Sequence, residues 1–281
     1  MEGPPVASLL STVRGAIAAT CFLPSLASFL NQGKKLSKSQ WAGVIEMALY
    51  NLGAQGFLAL GIYHTDATRA AFFTQASVIL TPVISRLSGE RVPVSMWIGA
   101  SIAMAGVSLL GMTGAFTAAA AGFNIGDILC LAGAVSWSLY ICRMGAIMNR
   151  GLSPIVLQTF KTITLMFLYA LWAFVALKTS GLSLLAAWPG YKNLSQWLLI
   201  AFSAIGPGAL ADWAQSVGQK TVSSSEANII LCSEPLFSAL LAFVMLQERI
   251  AGPGLVGAGM IFVAALVASG IFEKPSTAQS S

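Results

Sequence analysis

Gly89-Glu90-Arg91-Val92-Pro93, running on to Ile98-Gly99, decides the reading of this chain because its pattern occurs twice. Glu90-Arg91, seven residues and Gly99 return as Glu248-Arg249, seven residues and Gly257. Each copy lies between two apolar runs of the length that crosses a bilayer, about 20 residues. An internal repeat of this kind in an apolar chain implies two related halves.

Composition agrees. Of 281 residues, 56% are hydrophobic and 9% charged, and the mean hydropathy is +0.78. A water-soluble domain carries about 25% charged residues; this chain lacks the polar surface to cover a globule of its size, so the bilayer is its solvent. The net charge of +5 does not imply nucleic acid, because the basic residues sit in short connections rather than in a patch. Cys21, Cys130, Cys142 and Cys232 all fall in apolar runs without metal-ligand spacing and read as packing residues.

Nine apolar segments are predicted to span: Val6–Leu30, Gln40–Tyr63, Ala67–Leu87, Val94–Thr113, Ile125–Met148, Pro154–Leu177, Ser195–Gln219, Ser224–Leu246 and Gly252–Phe272. The fold class is therefore all-α, a polytopic membrane bundle. Residues 1–114 form the first repeat with four helices, 124–273 the second with five, and 274–281 a polar, disordered tail. With connections alternating sides, Lys34, Lys35, Lys38, Arg91, Arg150, Lys220 and Lys274 collect on one side, which should be cytoplasmic or its organellar equivalent. The two Glu-Arg turns then face opposite sides, so the halves are inverted. Inverted halves need an odd number of helices each, which implies one further helix before Val6.

Specific stretches resemble a known family. Ser233-Glu234-Pro235-Leu236-Phe237-Ser238-Ala239-Leu240-Leu241, continuing to Leu246-Gln247-Glu248-Arg249, is similar to the penultimate helix and following turn of EamA-type members of the drug/metabolite transporter superfamily. Gly126-Asp127-Ile128-Leu129 with Ser136-Trp137-Ser138-Leu139-Tyr140 resembles the start of that family's second repeat, and Leu87-Ser88-Gly89-Glu90-Arg91-Val92-Pro93 the matching turn of the first. The resemblance implies ten helices in two inverted five-helix repeats and transport of a small molecule. The chain departs from the pattern in lacking the first helix and in having Gln247 where a glycine is common.

Ionisable residues inside the apolar segments are the candidate sites, since each costs about 2.5 kcal/mol or more at bilayer depth unless paired or hydrated. They are Arg14, Glu46, Lys161, Asp212, Glu226 and Glu234. Glu234, the deepest acid, precedes Pro235 and reads either as a proton or amine site or as a structural acid holding a kink. Arg14 and Lys161 occupy matching places in the two halves, where two cations suit an anionic substrate; the alternative is that they snorkel or pair within the bundle. Arg14 also resembles an arginine common in the family. Asp212, Gln215 and Gln219 share one helical face, as do Asn51 and Gln55, and Gln75 and Asn228 sit in the helices before the Glu-Arg turns. Together these predict a polar cavity, with interhelical hydrogen bonding as the alternative for each residue taken singly.

Enzyme readings find little support. His64 is the single histidine, Asp127 stands at a helix start as an N-cap, and no glycine-rich phosphate loop follows a strand. No cofactor or metal is implied. The expected function is a secondary carrier of a small organic metabolite working by alternating access, with a membrane scaffold or sensor of the same fold as the alternative. The expected partners are that small molecule and the lipid bilayer, and the expected location is the plasma membrane or an organelle envelope such as that of a plastid. Substrate identity and oligomeric state are not legible.

Overall fold

A computed structural model of the chain describes residues 6–65, 67–110, 124–148, 151–231, 233–234, 237 and 252–268. The Glu248-Arg249 turn, most of the stretch from Pro235 to Leu246, and the 274–281 tail lie outside the described residues. Every regular element among the described residues is helical.

Local chemistry sets the helix ends. α1 (Ala7–Cys21) and α2 (Leu23–Asn31) meet at a 49° bend, where Pro24 enters α2 and cannot continue the hydrogen-bond ladder of α1. α3 (Lys38–Ile62) starts with a reciprocal capping box: Ser37 N–H donates to Gln40 Oε1 at 2.9 Å, and Gln40 N–H to Ser37 Oγ at 3.2 Å. α4 (Ala67–Thr74) and α5 (Ser77–Leu87) are separated by Gln75 and Ala76. There the backbone tightens to i→i−3 bonds, with Ala76 N–H reaching the Phe73 carbonyl and Val78 N–H that of Gln75. α6 (Val94–Leu110) follows.

α7 (Ile125–Met148) opens with a second reciprocal box between Asn124 and Asp127. Asp127 is thus the third helical residue and Asn124 the cap, a correction to the sequence reading. α8 (Pro154–Ser180) begins with Pro154 after Ser153 and ends at Gly181, whose φ is +65°, the pairing of proline inside the start and glycine past the end that helix termini favour. After the short α9 (Leu184–Ala187), α10 (Leu194–Ser203) passes through a π-helical turn, Ala204–Leu210, into α11 (Ala211–Gly218). α12 (Ser224–Leu231) starts with a third box, Ser223 with Glu226, so Glu226 caps a helix. α13 (Gly252–Ala268) is the last described helix.

The repeat is visible in local structure. Ser233 stands as far before Glu248 as Gln75 does before Glu90, and both positions are helix breaks, each following an eight-residue helix.

Among the described residues, Arg69–Leu87, Ile125–Met148, Pro154–Ser180 and Leu194–Gly218 are long and apolar enough to cross a membrane, and the bent α1–α2 pair makes a fifth. α6 and α13 are shorter apolar helices. α3 has 25 residues but carries Glu46, Asn51 and Gln55, which make it more polar. Of the nine segments of the sequence reading, those at 94–113, 224–246 and 252–272 run into residues outside the described ones.

The described chain forms two compact units that interleave the sequence halves: Met1–Ala59 with Arg143–Thr221, and Leu60–Cys142 with Val222–Ser281. In the first unit, α1 packs along α8 and against the π-turn. Its core gathers Ala18, Phe22 and Ala209, and separately Ala48, Leu165 and Tyr169. Phe160 sits edge-on to both Phe29 and Trp41, with ring centroids 5.2 and 5.4 Å away. In the second unit, α6 packs closely against α13. A Cβ at Gly106 would lie 2.7 Å from the Gly257 carbonyl oxygen, so only glycine permits this approach. Val78, Ala100, Ala103 and Ala264 fill the core beside it.

Candidate functional site

The site is built on α8, which is polar inside and apolar outside. Gln158, Lys161, Thr162, Leu165 and Tyr169 share one face and are buried, whereas Phe167, Leu171 and Phe174 on the opposite face are 64%, 60% and 60% exposed. In water a helix turns its apolar face inward; here the exposed apolar face is the one that lipid solvates.

Lys161 is fully buried, and its Nζ donates to Asp212 Oδ2 at 2.6 Å. Gln158, one turn earlier on the same face, donates from Nε2 to the Asp212 backbone carbonyl at 2.9 Å. α8 therefore holds α11 at Asp212 through both its side chain and its backbone. α1 supplies Arg14. Gly15 beside it faces α8, where a Cβ would lie 3.4 Å from the Tyr169 ring, at ordinary van der Waals contact. Arg14, Lys161 and Asp212 all lie within electrostatic reach of Tyr169.

Arg14 approaches the start of the π-turn. Pro207 has no N–H to give to the carbonyl four residues back, that of Ser203. The π-turn passes that bond to the next donor, five residues on, and the Arg14 Nη2 group approaches the same Ser203 oxygen at 3.5 Å, the outer limit of a hydrogen bond. Arg14 Nε and Gln215 Nε2 are buried without a hydrogen-bond partner, as is Gln158 Oε1. Gln219, beyond the end of α11, is buried with neither end of its amide bonded.

Other predicted residues lie elsewhere. In the first unit, Asn51 is buried and Gln55 exposed on α3. Glu46 forms a two-pronged pair with Arg143, at 2.5 Å to Nε and 3.1 Å to Nη2.

In the second unit, Gln75 sits half-buried at the α4–α5 break. Asn228 is buried, and its Nδ2 donates to the Ser77 carbonyl at 2.7 Å and to Thr81 Oγ1 at 2.9 Å. Ser138 Oγ reaches the same carbonyl at 3.3 Å. Thr81 Oγ1 also donates to the Ser77 carbonyl, at 2.8 Å. Glu234 is exposed, and Cys232, Pro235 and Leu236 around it lie outside the described residues. Arg69 grips Asp127 with Nε and Nη2, and Thr65 Oγ1 adds a bond at 2.9 Å, so Asp127 is held by structural partners.

Sequence reasoning placed Arg14, Lys161, Asp212 and Gln215 among the candidates, and the first unit gathers the first three around Tyr169. It overlooked Gln158 and Tyr169. The available signal was helical spacing: both lie on the Lys161 face.

Comparison with known proteins follows the same lines. The model of the EamA-like transporter family matches this chain twice, over residues 6–112 and 124–270. An "uncharacterized transporter" of Archaeoglobus fulgidus is 27% identical over 260 residues, covering 92% of this chain and 75% of its own. One solved crystal structure superposes with a TM-score of 0.75 at 20% identity, covering 98% of this chain and 90% of its own, which shows a shared fold. With its apolar helices turned outward and the family match spanning both halves, the chain belongs to the EamA-like transporter family: it is a multi-pass integral membrane transporter and not an enzyme.

Proposed function

We propose that the protein is a secondary carrier that moves a small organic metabolite by alternating access. The observation that supports this reading best is the charged cluster of Arg14, Lys161 and Asp212 inside apolar helices of a transporter-family chain. Charged side chains at bilayer depth cost at least about 2.5 kcal/mol each and concentrate on substrate and ion pathways. In this reading Arg14, Lys161, Asp212 and Gln215 contact the cargo. Glu234 is the proposed proton-coupling group, a carboxylate next to Pro235 in an apolar segment. The working membrane is the plasma membrane or an organelle envelope, which imaging of a fluorescent fusion distinguishes.

The test is counterflow in proteoliposomes containing the full chain. A mixture of small metabolites is loaded inside, and labelled members are followed from outside by mass spectrometry. Accumulation of at least one compound above protein-free liposomes supports a carrier; none across the mixture favours a scaffold or sensor. A pH gradient should then drive uptake by the native chain and not by Glu234→Gln at equal expression. Unchanged gradient-driven uptake in that variant removes proton coupling through Glu234.

A further inference from the structure

We infer that the cluster around Arg14 receives a singly charged organic carboxylate, with the Arg14 guanidinium as the group that takes it. The inference rests on the carrier reading and names the charge class of the cargo.

The first argument is charge balance. Lys161 and Asp212 neutralise each other at 2.6 Å. Arg14 is the third charge, and among the described residues no acid lies within ion-pair distance of it. Among the described residues, its hydrogen-bond contact is the 3.5 Å approach to the Ser203 carbonyl. An arginine does not shed its proton in a protein, so among the described residues the half-buried Arg14 adds one positive charge to a Lys161–Asp212 pair that is already balanced. A guanidinium among apolar helices draws an anion to it.

The second argument is hydrogen-bond balance. Among the buried polar atoms without a partner, the donors Arg14 Nε, Gln215 Nε2 and Gln219 Nε2 outnumber the acceptors Gln158 Oε1 and Gln219 Oε1 by one. The orientation of the Gln158 amide follows from its bond to the Asp212 carbonyl, which requires Nε2 on that side. A group that only accepts fits this surplus, and a carboxylate is acceptor-only with two oxygens. Its planar pair of oxygens matches the open Nε edge of a guanidinium. A phosphate monoester carries about two negative charges at neutral pH and would leave the cluster negative, so one carboxylate closes the ledger where a phosphate overshoots.

The experiment uses the full chain in lipid nanodiscs and three probes small enough to enter any site that admits the group: acetate, acetamide and methyl phosphate. Binding is read by calorimetric titration and by the thermal midpoint, at constant ionic strength with chloride as the balancing ion. Acetate should bind saturably and raise the midpoint above chloride, acetamide should not, and methyl phosphate should bind more weakly than acetate. Arg14→Gln should weaken acetate at least tenfold, Arg14→Lys should restore part of it, and Lys178→Gln, an exposed cation at the end of α8, should leave it unchanged. Asp212→Asn adds one net positive charge and should strengthen acetate binding, a gain that general damage to the fold does not produce.

Acetate binding no better than acetamide, methyl phosphate binding more tightly than acetate, or Arg14→Gln binding acetate as the native chain does would each overturn the inference. These readouts involve no flux. A chain that binds acetate but moves nothing loses the carrier reading and keeps this one. A chain that exchanges only neutral compounds does the reverse.

Discussion

Lys161 and Asp212 are joined at 2.6 Å, yet the lysine side chain is 1% exposed and the aspartate 27%. The ammonium is sealed inside the first unit and the carboxylate is its open end. The two partners are therefore unequal: removing the aspartate strands a buried cation, whereas removing the lysine leaves a carboxylate that water can reach.

Asp212→Ala should accordingly destabilise the protein more than Lys161→Met does. Breaking a fully buried pair costs about 3–5 kcal/mol; Asp212→Ala should approach that range and Lys161→Met fall below it. The double change Lys161→Met with Asp212→Leu should recover most of the loss. Thermal unfolding in detergent orders the three variants, and equal losses in the two single variants would contradict the asymmetry.

Asp127 accepts from Arg69, Thr65 and the Asn124 backbone. As a cap alone it would be worth about 1 kcal/mol. As the buried partner of Arg69 it should be worth about 3–5 kcal/mol on truncation. Asp127→Ala unfolding in detergent should show the larger figure, and a loss near 1 kcal/mol would mean that the Arg69 pair adds nothing net.

Asn228 ties α12 to α5 at Ser77 and Thr81. Interhelical hydrogen bonds inside membrane bundles average about 0.6 kcal/mol and reach about 1.7. Because Asn228 makes two such bonds in a buried setting, Asn228→Ala should fall at the upper end. A double-mutant cycle with Thr81→Val isolates the share carried by the hydroxyl.

Gly106 and Gly56 look alike in sequence and differ in the fold. A Cβ at Gly106 would lie 2.7 Å from the Gly257 carbonyl oxygen, while one at Gly56 meets nothing within 4 Å. Gly106→Ala should push α6 from α13 and lower the unfolding midpoint. Gly56→Ala should be neutral or stabilising by up to about 1 kcal/mol, the helix propensity gained. Reversal of the two would contradict the packing of the second unit.

The apolar runs, the repeated Glu-Arg turns, the proline and glycine bounding α8 and the face shared by Lys161 with its neighbours were all legible in sequence, because each depends on residues within a few turns of one another. The capping boxes Ser37–Gln40, Asn124–Asp127 and Ser223–Glu226 were legible too, as polar pairs three apart before apolar runs. The sequence reading takes Glu226 only as an ionisable residue of an apolar segment, and Asp127 as the cap itself.

What tertiary structure alone decided is which distant residues meet. Sequence spacing says nothing of Arg69 with Asp127, Glu46 with Arg143 or Lys161 with Asp212, whose partners come from helices far apart in the chain. Nor does it show that the compact units interleave the two halves. Local propensity and hydropathy act along one helix and fix its length, ends and outward face; the burial of a charge demands an opposite charge wherever the packing of helices brings one, and that choice exists only in the folded bundle.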